Sequence, residues 1–362
     1  MITKTHKLYN IYKKVKDGTR ISEKDARSLY NSTDILAIGC IANIIRERKS
    51  GKKTYYIVNR HINYSNVCKN SCRFCAFSRQ EGSPGGFTLN LKDILKKLRK
   101  SASGGRISEL HIVGGLHPDL PFEYYTDMLK ALHTKYPHVH LQAFTAVEIA
   151  HLAEKSGLSI KETLLRLRDA GLGSIPGGGA EVFSDRLRRA VCPDKLGGEE
   201  WLDIHRIAHS LDIRSNATML YGHVETINER IDHLIRLRQL QDKTGGFMSF
   251  IPLPYHPENT KLGGSGPTGL DSLKTTAISR IFLDNFDHIK SFWIMLGVKL
   301  AQVSLDFGAD DLDGTVVEEK ITHAAGASTP EFLSVDEIRR LILEANKVPV
   351  ERDTLYKVVK RK

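Results

Sequence analysis

The sequence predicts an α/β protein built as a (β/α)8 barrel of the TIM type with an added N-terminal helical segment. Three observations carry that prediction. From Thr54 onward, short apolar runs alternate with helical segments, the rhythm of a parallel sheet. A cluster of three cysteines, Cys68-x3-Cys72-x2-Cys75, follows the first of those runs. Glycine-rich or polar stretches follow most later runs, where a barrel of parallel strands keeps its active site.

Residues 1–50 read as helices. Ser22 before Glu23-Lys24-Asp25 is close to a capping box, and Thr33-Asp34 open a run with Ile35, Leu36, Ile38, Ala42 and Ile45 on one side. Cys40 lies in this run and is expected to be a small buried hydrophobe. Residues 1–52 are therefore expected to form a helical extension. Residues 53–362 are expected to form one catalytic domain with C-terminal helices, because no linker or low-complexity stretch divides them. Within it, strands are predicted over 55–62, 109–113, 138–144, 172–175, 214–220, 247–253, 291–296 and 310–312, with helices between them.

Composition excludes several classes of function. Five cysteines, an odd number, in a 362-residue chain without a secretory-type apolar start argue against a disulfide framework. The longest apolar run, 35–45, is too short to span a bilayer, so a cytoplasmic protein without a membrane partner is expected. The formal charge of +11 is dispersed over pairs such as Lys13/Lys14 and Lys96/Lys97, and no nucleic-acid module appears. No nucleic-acid partner is expected; a basic balance also suits an anionic small substrate.

The cysteine loop carries the sharpest chemistry. Thiolates suit iron–sulfur clusters, zinc or copper(I). Structural zinc closes with four ligands and an ordinary [4Fe–4S] cluster takes four thiolates. Three close thiolates can instead hold a cubane at three irons and leave the fourth open, while zinc completed by a remote histidine is the alternative. Past the strand at 109–113, Gly114-Gly115 let backbone approach a ligand closely. Other strand ends bring Glu148, the Pro176–Gly179 turn with Glu181, and Met219 with His223 to the expected barrel mouth. His61, His117 and His256 fall at similar places, and Trp293, Asp310, Asp311, Asp313, Glu318, Glu319 and His323 are later candidates.

The cysteine spacing, with the aromatic Phe74 just before Cys75, resembles the radical S-adenosylmethionine (SAM) superfamily signature. Longer runs are similar to one of its families: HINYSNVCKNSCRFCAFSR (61–79), ELHIVGGLHPDLPFEYY (109–125), SIPGGGAEVF (174–183), NATMLYGHVET (216–226) and LDNFDHIKSFWIMLG (283–297) resemble the aminofutalosine synthases of menaquinone biosynthesis. The resemblance runs from about Asn59 to Arg352. It implies a [4Fe–4S] cluster on Cys68, Cys72 and Cys75, with SAM on the open iron and consumed as co-substrate. Phe74, Gly114, Gly115, Glu148, Glu181 and Met219 would then line the SAM site.

The implied substrate is 3-[(1-carboxyvinyl)oxy]benzoate. The 5′-deoxyadenosyl radical would add to its vinyl carbon, the aryl group would migrate, and loss of a carboxyl group as bicarbonate or CO2 with return of an electron would give 6-amino-6-deoxyfutalosine. An electron donor such as flavodoxin or ferredoxin is implied as partner. A dianionic substrate calls for cationic contacts, for which Arg79, Arg214 and Arg280, with His117, are candidates. His223, Glu148 and His256 are the candidates for handling a proton. Cyclic dehypoxanthine futalosine cyclase and the deazaflavin (FO) synthase subunits are the neighbouring alternatives; an iron–sulfur electron carrier or sensor is the alternative from another class.

Overall fold

A computed structural model describes residues 2–100 and 107–360. Among the described residues ten strands form: β1 (Lys53–Ile57), β2 (Asn59–Asn63), β3 (Glu109–Val113), β4 (His140–Ala143), β5 (Ser174–Ile175), β6 (Arg214–Tyr221), β7 (Phe247–Pro254), β8 (His288–Ile289), β9 (Asp311–Gly314) and β10 (Val348–Glu351). Strands β2 to β8 make one seven-stranded parallel sheet in sequence order, the curled sheet of a TIM-type barrel. Helices fill the crossovers, as parallel pairing requires.

The single strand expected over 55–62 is two. The chain breaks at Val58, so that β1 joins β9 and β10 in a second sheet while β2 begins the barrel. The eighth strand lies in that second sheet as β9, and residues 310–317 run between β8 and β2. Asp310 N donates to Ile289 O at 3.1 Å, and His61 N donates to Val317 O at 3.0 Å.

The strand expected over 291–296 is wrong. β8 is His288–Ile289, and Trp293–Leu296 is a helical turn whose indole Nε1 donates to Gly314 O at 2.8 Å. A five-residue apolar run from Phe292 to Leu296 does not by its periodicity distinguish strand from helix. Here the indole anchor to β9 selects the helix. The shift has a consequence for function, because it places Lys290 at the carboxyl end of a strand.

The N-terminal helices form as the caps direct. Ser22 and Asp25 make a reciprocal capping box, and Asp34 accepts from Ala37 N at 2.9 Å. Helix Ile35–Ser50 packs on helix Gly269–Phe282, outside the barrel. Its buried stripe is Ile38, Ile41, Ala42 and Ile45. Cys40 falls on the opposite face and is exposed, against expectation.

Arg280, expected at the substrate, lies instead in the packing between helix Gly269–Phe282 and the start of β9. It is fully buried, donating to Gly308 O at 2.8 Å and to Asp310 Oδ1 at 2.6 Å. Asp310 also accepts from Ser50 Oγ (2.6 Å), from Ile289 N (2.9 Å) and at His288 Nδ1 (2.8 Å). Beside it Arg352 donates to Asp311 at 2.6 Å. These paired charges lock the C-terminal segment onto the barrel. Among the described residues, no helix is long and apolar enough to cross a membrane.

Candidate active site

A cavity of about 340 Å³ opens where the carboxyl ends of the barrel strands meet the cysteine loop. Strand alternation decides which side chains reach it. Asn59 and His61 of β2, Glu109, His111 and Val113 of β3, Gln142 of β4, Asn216, Thr218 and Leu220 of β6, and Ile251 and Leu253 of β7 face inward. Met219, between Thr218 and Leu220, faces outward into the core and does not line the cavity. The parity of β6 thus removes it from the SAM contacts expected of it.

The cysteine loop forms one wall. Cys68, Cys72 and Cys75 all line the cavity, half-buried, as free thiols. Burial pushes the Cys72 thiol up to about 12, with Lys195 opposing the shift. It also raises that of Cys68, and Cys75 is close enough to add to both. The loop is held by backbone: Cys68 N donates to Arg79 O at 2.9 Å and Lys69 N to Leu116 O at 2.9 Å. Arg79 turns its guanidinium back on the loop, donating to Ala76 O (2.9 Å) and Ser78 O (2.8 Å), and does not reach the cavity. Among the described residues no three His, Cys, Asp or Glu side chains are gathered to hold a single metal ion. A cubane is bound differently, one thiolate to each of several separate irons.

Gly114 and Gly115 are required by the same packing. A Cβ on Gly114 would lie 2.6 Å from the Tyr64 ring, and one on Gly115 would collide with the carbonyl of Val67. Glycine here lets β3 end directly beneath the cysteine loop. Glu148 fixes that turn. Its Oε1 accepts from Gly114 N (3.0 Å) and Tyr64 OH (2.7 Å), and its Oε2 accepts from Thr145 N and Oγ1, both at 2.7 Å. Burial pushes its carboxyl up against the pull of these bonds. Glu148 lines the cavity, but the structure gives its oxygens to the Gly-Gly turn and the following helix cap.

Glu181 faces the cavity from a left-handed backbone (φ 48°) and pairs with Lys195 at 2.7 Å. Lys195 also lies over the Phe74 ring, 5.4 Å from its centroid, so these three form one unit beside the cysteines. Lys195 follows the helix Asp185–Val191 in a connection that carries no strand-end signal, and sequence reasoning passed over it.

Other expected residues lie elsewhere. His223 sits behind Tyr255, 5.7 Å between ring centroids, near Leu220 O (3.1 Å) and Glu225 (3.4 Å), and outside the lining. Burial lowers its affinity for a proton. His117 accepts from Asp119 N at 3.1 Å in the turn after Gly115 and is also outside. Arg214 starts β6 at the end of the barrel opposite the mouth, and is exposed. His256 does line the cavity, its Nε2 meeting Met295 O at 2.8 Å.

The cavity floor is a polar network that the sequence showed only as alternation. His61 and His111 stack at 4.5 Å, held in register by β2 and β3. Burial lowers both, His61 strongly, so both imidazoles are neutral near pH 7. Gln142 Oε1 meets His111 Nδ1 (3.2 Å) and Asn216 Nδ2 (3.4 Å), and Ser249 Oγ donates to Asn216 (2.8 Å). Lys290, 4% exposed, points into this floor with Asp313 3.5 Å away. Asn59-x-His61, Glu109-x-His111 and Asn216-x-Thr218 place polar residues at every second strand position, where a filled barrel would carry branched apolar ones. That spacing was the available signal.

Residues 62–237 match the model of the radical SAM superfamily, and residues 244–362 match that of the CofH/MqnC C-terminal region. An aminodeoxyfutalosine synthase of Thermus thermophilus is 45% identical over 359 residues, 98% of this chain and 96% of its own. A 5-amino-6-(D-ribitylamino)uracil–L-tyrosine 4-hydroxyphenyl transferase of Methanococcoides burtonii is 41% identical over 328 residues, 88% of this chain and 91% of its own. In fold, the crystal structure of methylornithine synthase superposes with a TM-score of 0.74 at 16% identity, covering 94% of this chain and 97% of that one.

Proposed function

The chain belongs to the radical SAM superfamily, and from that premise we propose that it is an aminodeoxyfutalosine synthase acting on 3-[(1-carboxyvinyl)oxy]benzoate. The full-length likeness to the Thermus thermophilus synthase, joined to one cavity that holds both the cysteine loop and a polar floor, carries this reading. When bound, the reduced [4Fe–4S] cluster and SAM together supply a 5′-deoxyadenosyl radical.

The chain's own residues do the rest. Cys68, Cys72 and Cys75 are the ligands for three irons, fitted to that role by sharing one half-buried wall. SAM would be held beside that wall by the Gly114-Gly115 backbone, Phe74, and the paired Glu181 and Lys195, which line the same cavity. Glu148 acts as a positioning residue, since its four hydrogen bonds tie Gly114 N of the Gly-Gly turn to Tyr64 OH and to the Thr145 helix cap. The substrate takes the side of β7 to β9, bounded by Leu253, Tyr255, His256, Phe292 and Thr322. Enclosure there keeps the vinyl carbon near adenosyl C5′ and limits water at the radical. His256 is the candidate proton-handling group among those facing the cavity. Flavodoxin or ferredoxin is the proposed electron source, in the cytoplasm.

The test is an anaerobic assay of reconstituted protein with reductant, SAM and the enolpyruvyl benzoate, read by mass spectrometry. A product in which the adenosine carbon skeleton is joined to the benzoate is expected. Free 5′-deoxyadenosine with unchanged benzoate would send the substrate search to the tyrosine and ribitylaminouracil chemistry named for the 41% relative. A second expectation concerns the loop: Gly115→Ala should push Val67 and Cys68 off the β3 end. Iron and sulfide bound per chain after reconstitution should fall to less than half, with the fold retained by circular dichroism; wild-type iron content would show the contact to be compliant.

A further inference from the structure

We propose that Lys290 is the cation that holds a substrate carboxylate, making the floor beneath β8 and β9 an aromatic-carboxylate subsite. The inference rests on the reading above that the substrate is an aryl dianion. Such a ligand needs positive charge inside the cavity. Among the described residues lining it, Lys195 and Lys290 are the only lysines or arginines. Lys195 is taken by Glu181 at 2.7 Å, on the cysteine side. Arg79, Arg214 and Arg280 all point elsewhere.

Lys290 is differently placed. Its side chain is 6% exposed, yet its one hydrogen-bonding contact among the described residues is Asp313 Oδ1 at 3.5 Å, longer than a good N–H···O bond. An ammonium carries three donors, so most of this one's capacity is unspent. The groups that feel its charge are Glu109, Asp313 and the neutral imidazoles of His61 and His111. Glu109 starts β3, one inward position below His111. Burial, with Asp311 and Glu109 nearby, pushes the Asp313 carboxyl up, whereas Lys290, first among the nearby charges, helps hold the buried Glu109 carboxyl below its ordinary value.

The neighbouring surface suits a ring. His61 and Phe292 present near-parallel planes, 8° apart with centroids separated by 6.5 Å, and both line the cavity. A benzoate with its carboxylate on Lys290 would lie along these faces. Its ether-linked vinyl group would then project toward the cysteine wall, where the adenosyl carbon must arrive. Orientation follows from charge: the carboxylate farthest from the reacting alkene takes the deepest cation.

The probe is 3-hydroxybenzoate, its Kd measured by calorimetry on anaerobically reconstituted protein, alongside turnover of the enolpyruvyl benzoate. Lys290→Met should weaken binding about 10- to 100-fold, the loss of one charge-assisted hydrogen bond. Lys290→Arg should recover most of it, and Asp313→Asn should bind at least as well as wild type. The SAM-induced change in the cluster's EPR spectrum should be unaltered in all three. The benzamide analogue, which has no carboxylate, should bind wild type and Lys290→Met equally. If Lys290→Met folds poorly, Lys290→Gln supplies the same neutral comparison at similar length.

Equal Kd for wild type and the neutral variants overturns the subsite, whatever the turnover. Weaker binding by Asp313→Asn, comparable to Lys290→Met, also overturns it, since both residues would then be structural. Lys290-dependent binding without wild-type turnover of the enolpyruvyl benzoate supports the subsite and overturns the proposed substrate instead.

Discussion

Cys72→Ala is expected to abolish product formation and to leave reconstituted protein without the visible absorbance and EPR signal of a reduced [4Fe–4S] cluster. Cys72 stands in the middle of the three cavity-facing thiols, and its backbone carbonyl receives Cys75 N at 3.1 Å, so it organises the loop besides being a proposed iron ligand. A cubane held at three corners loses a third of its anchorage when one thiolate is removed, and the remaining two cannot present one open iron in a fixed place. The Lys195–Phe74 contact would persist, and the fold should survive with the melting temperature of cluster-free wild type. Cys40→Ala is the control: its thiol is exposed on the N-terminal helix face, and full activity is expected. Cluster signal and turnover in Cys72→Ala would refute the ligand assignment.

Asp310→Ala is expected to have the largest effect on stability, on the order of 3–5 kcal/mol, because it strands a buried guanidinium. Arg280 and Asp310 are both fully buried, 2.6 Å apart. Burial alone would push the Asp310 carboxyl up; Arg280, His288 and Ser50 outweigh it and hold the group far below the ordinary carboxylate range. The sign follows. A depressed carboxyl contributes its stability in full above its unfolded value, near 3.8, and loses it as pH falls toward the folded one. Wild type should therefore weaken on acidification below about pH 4, and Asp310→Ala should lack that component. Urea denaturation at pH 7 and at pH 3.5 measures both. The pair Asp310→Leu with Arg280→Met should recover much of the loss, since removing both charges leaves neither unpaired. An unfolding free energy for Asp310→Ala within about 0.5 kcal/mol of wild type, the scatter of ordinary surface substitutions, would mean that the pair is not dry.

Much of the chemistry was legible in the chain because it is local. Three cysteines within eight residues must share a loop whatever surrounds them. Gly114-Gly115 ends the apolar run of β3 in sequence as it does in space. The strand–helix rhythm gave β3, β6 and β7 nearly to the residue, since long alternating segments leave little choice of register.

What failed depended on pairing. Met219 and Thr218 are neighbours in sequence, and only the register of β6 against β7 shows that Thr218 faces the cavity. Arg280 reads as a free cation until Asp310, 30 residues away, is brought against it. Glu148 does line the cavity, and only the fold shows that Gly114 N and Tyr64 OH share its Oε1. Lys290 was hidden by the opposite error, a strand expected to start three residues too late, at 291 where β8 starts at His288. The sequence alone determined the class of chemistry, because covalent spacing fixes a ligand motif, and it pointed to the family through a resemblance running from about Asn59 to Arg352. Tertiary structure decided which charges are spent on folding and which remain for a substrate, because a buried ion's role is set by the partner that shares its burial, and that partner arrives from far along the chain.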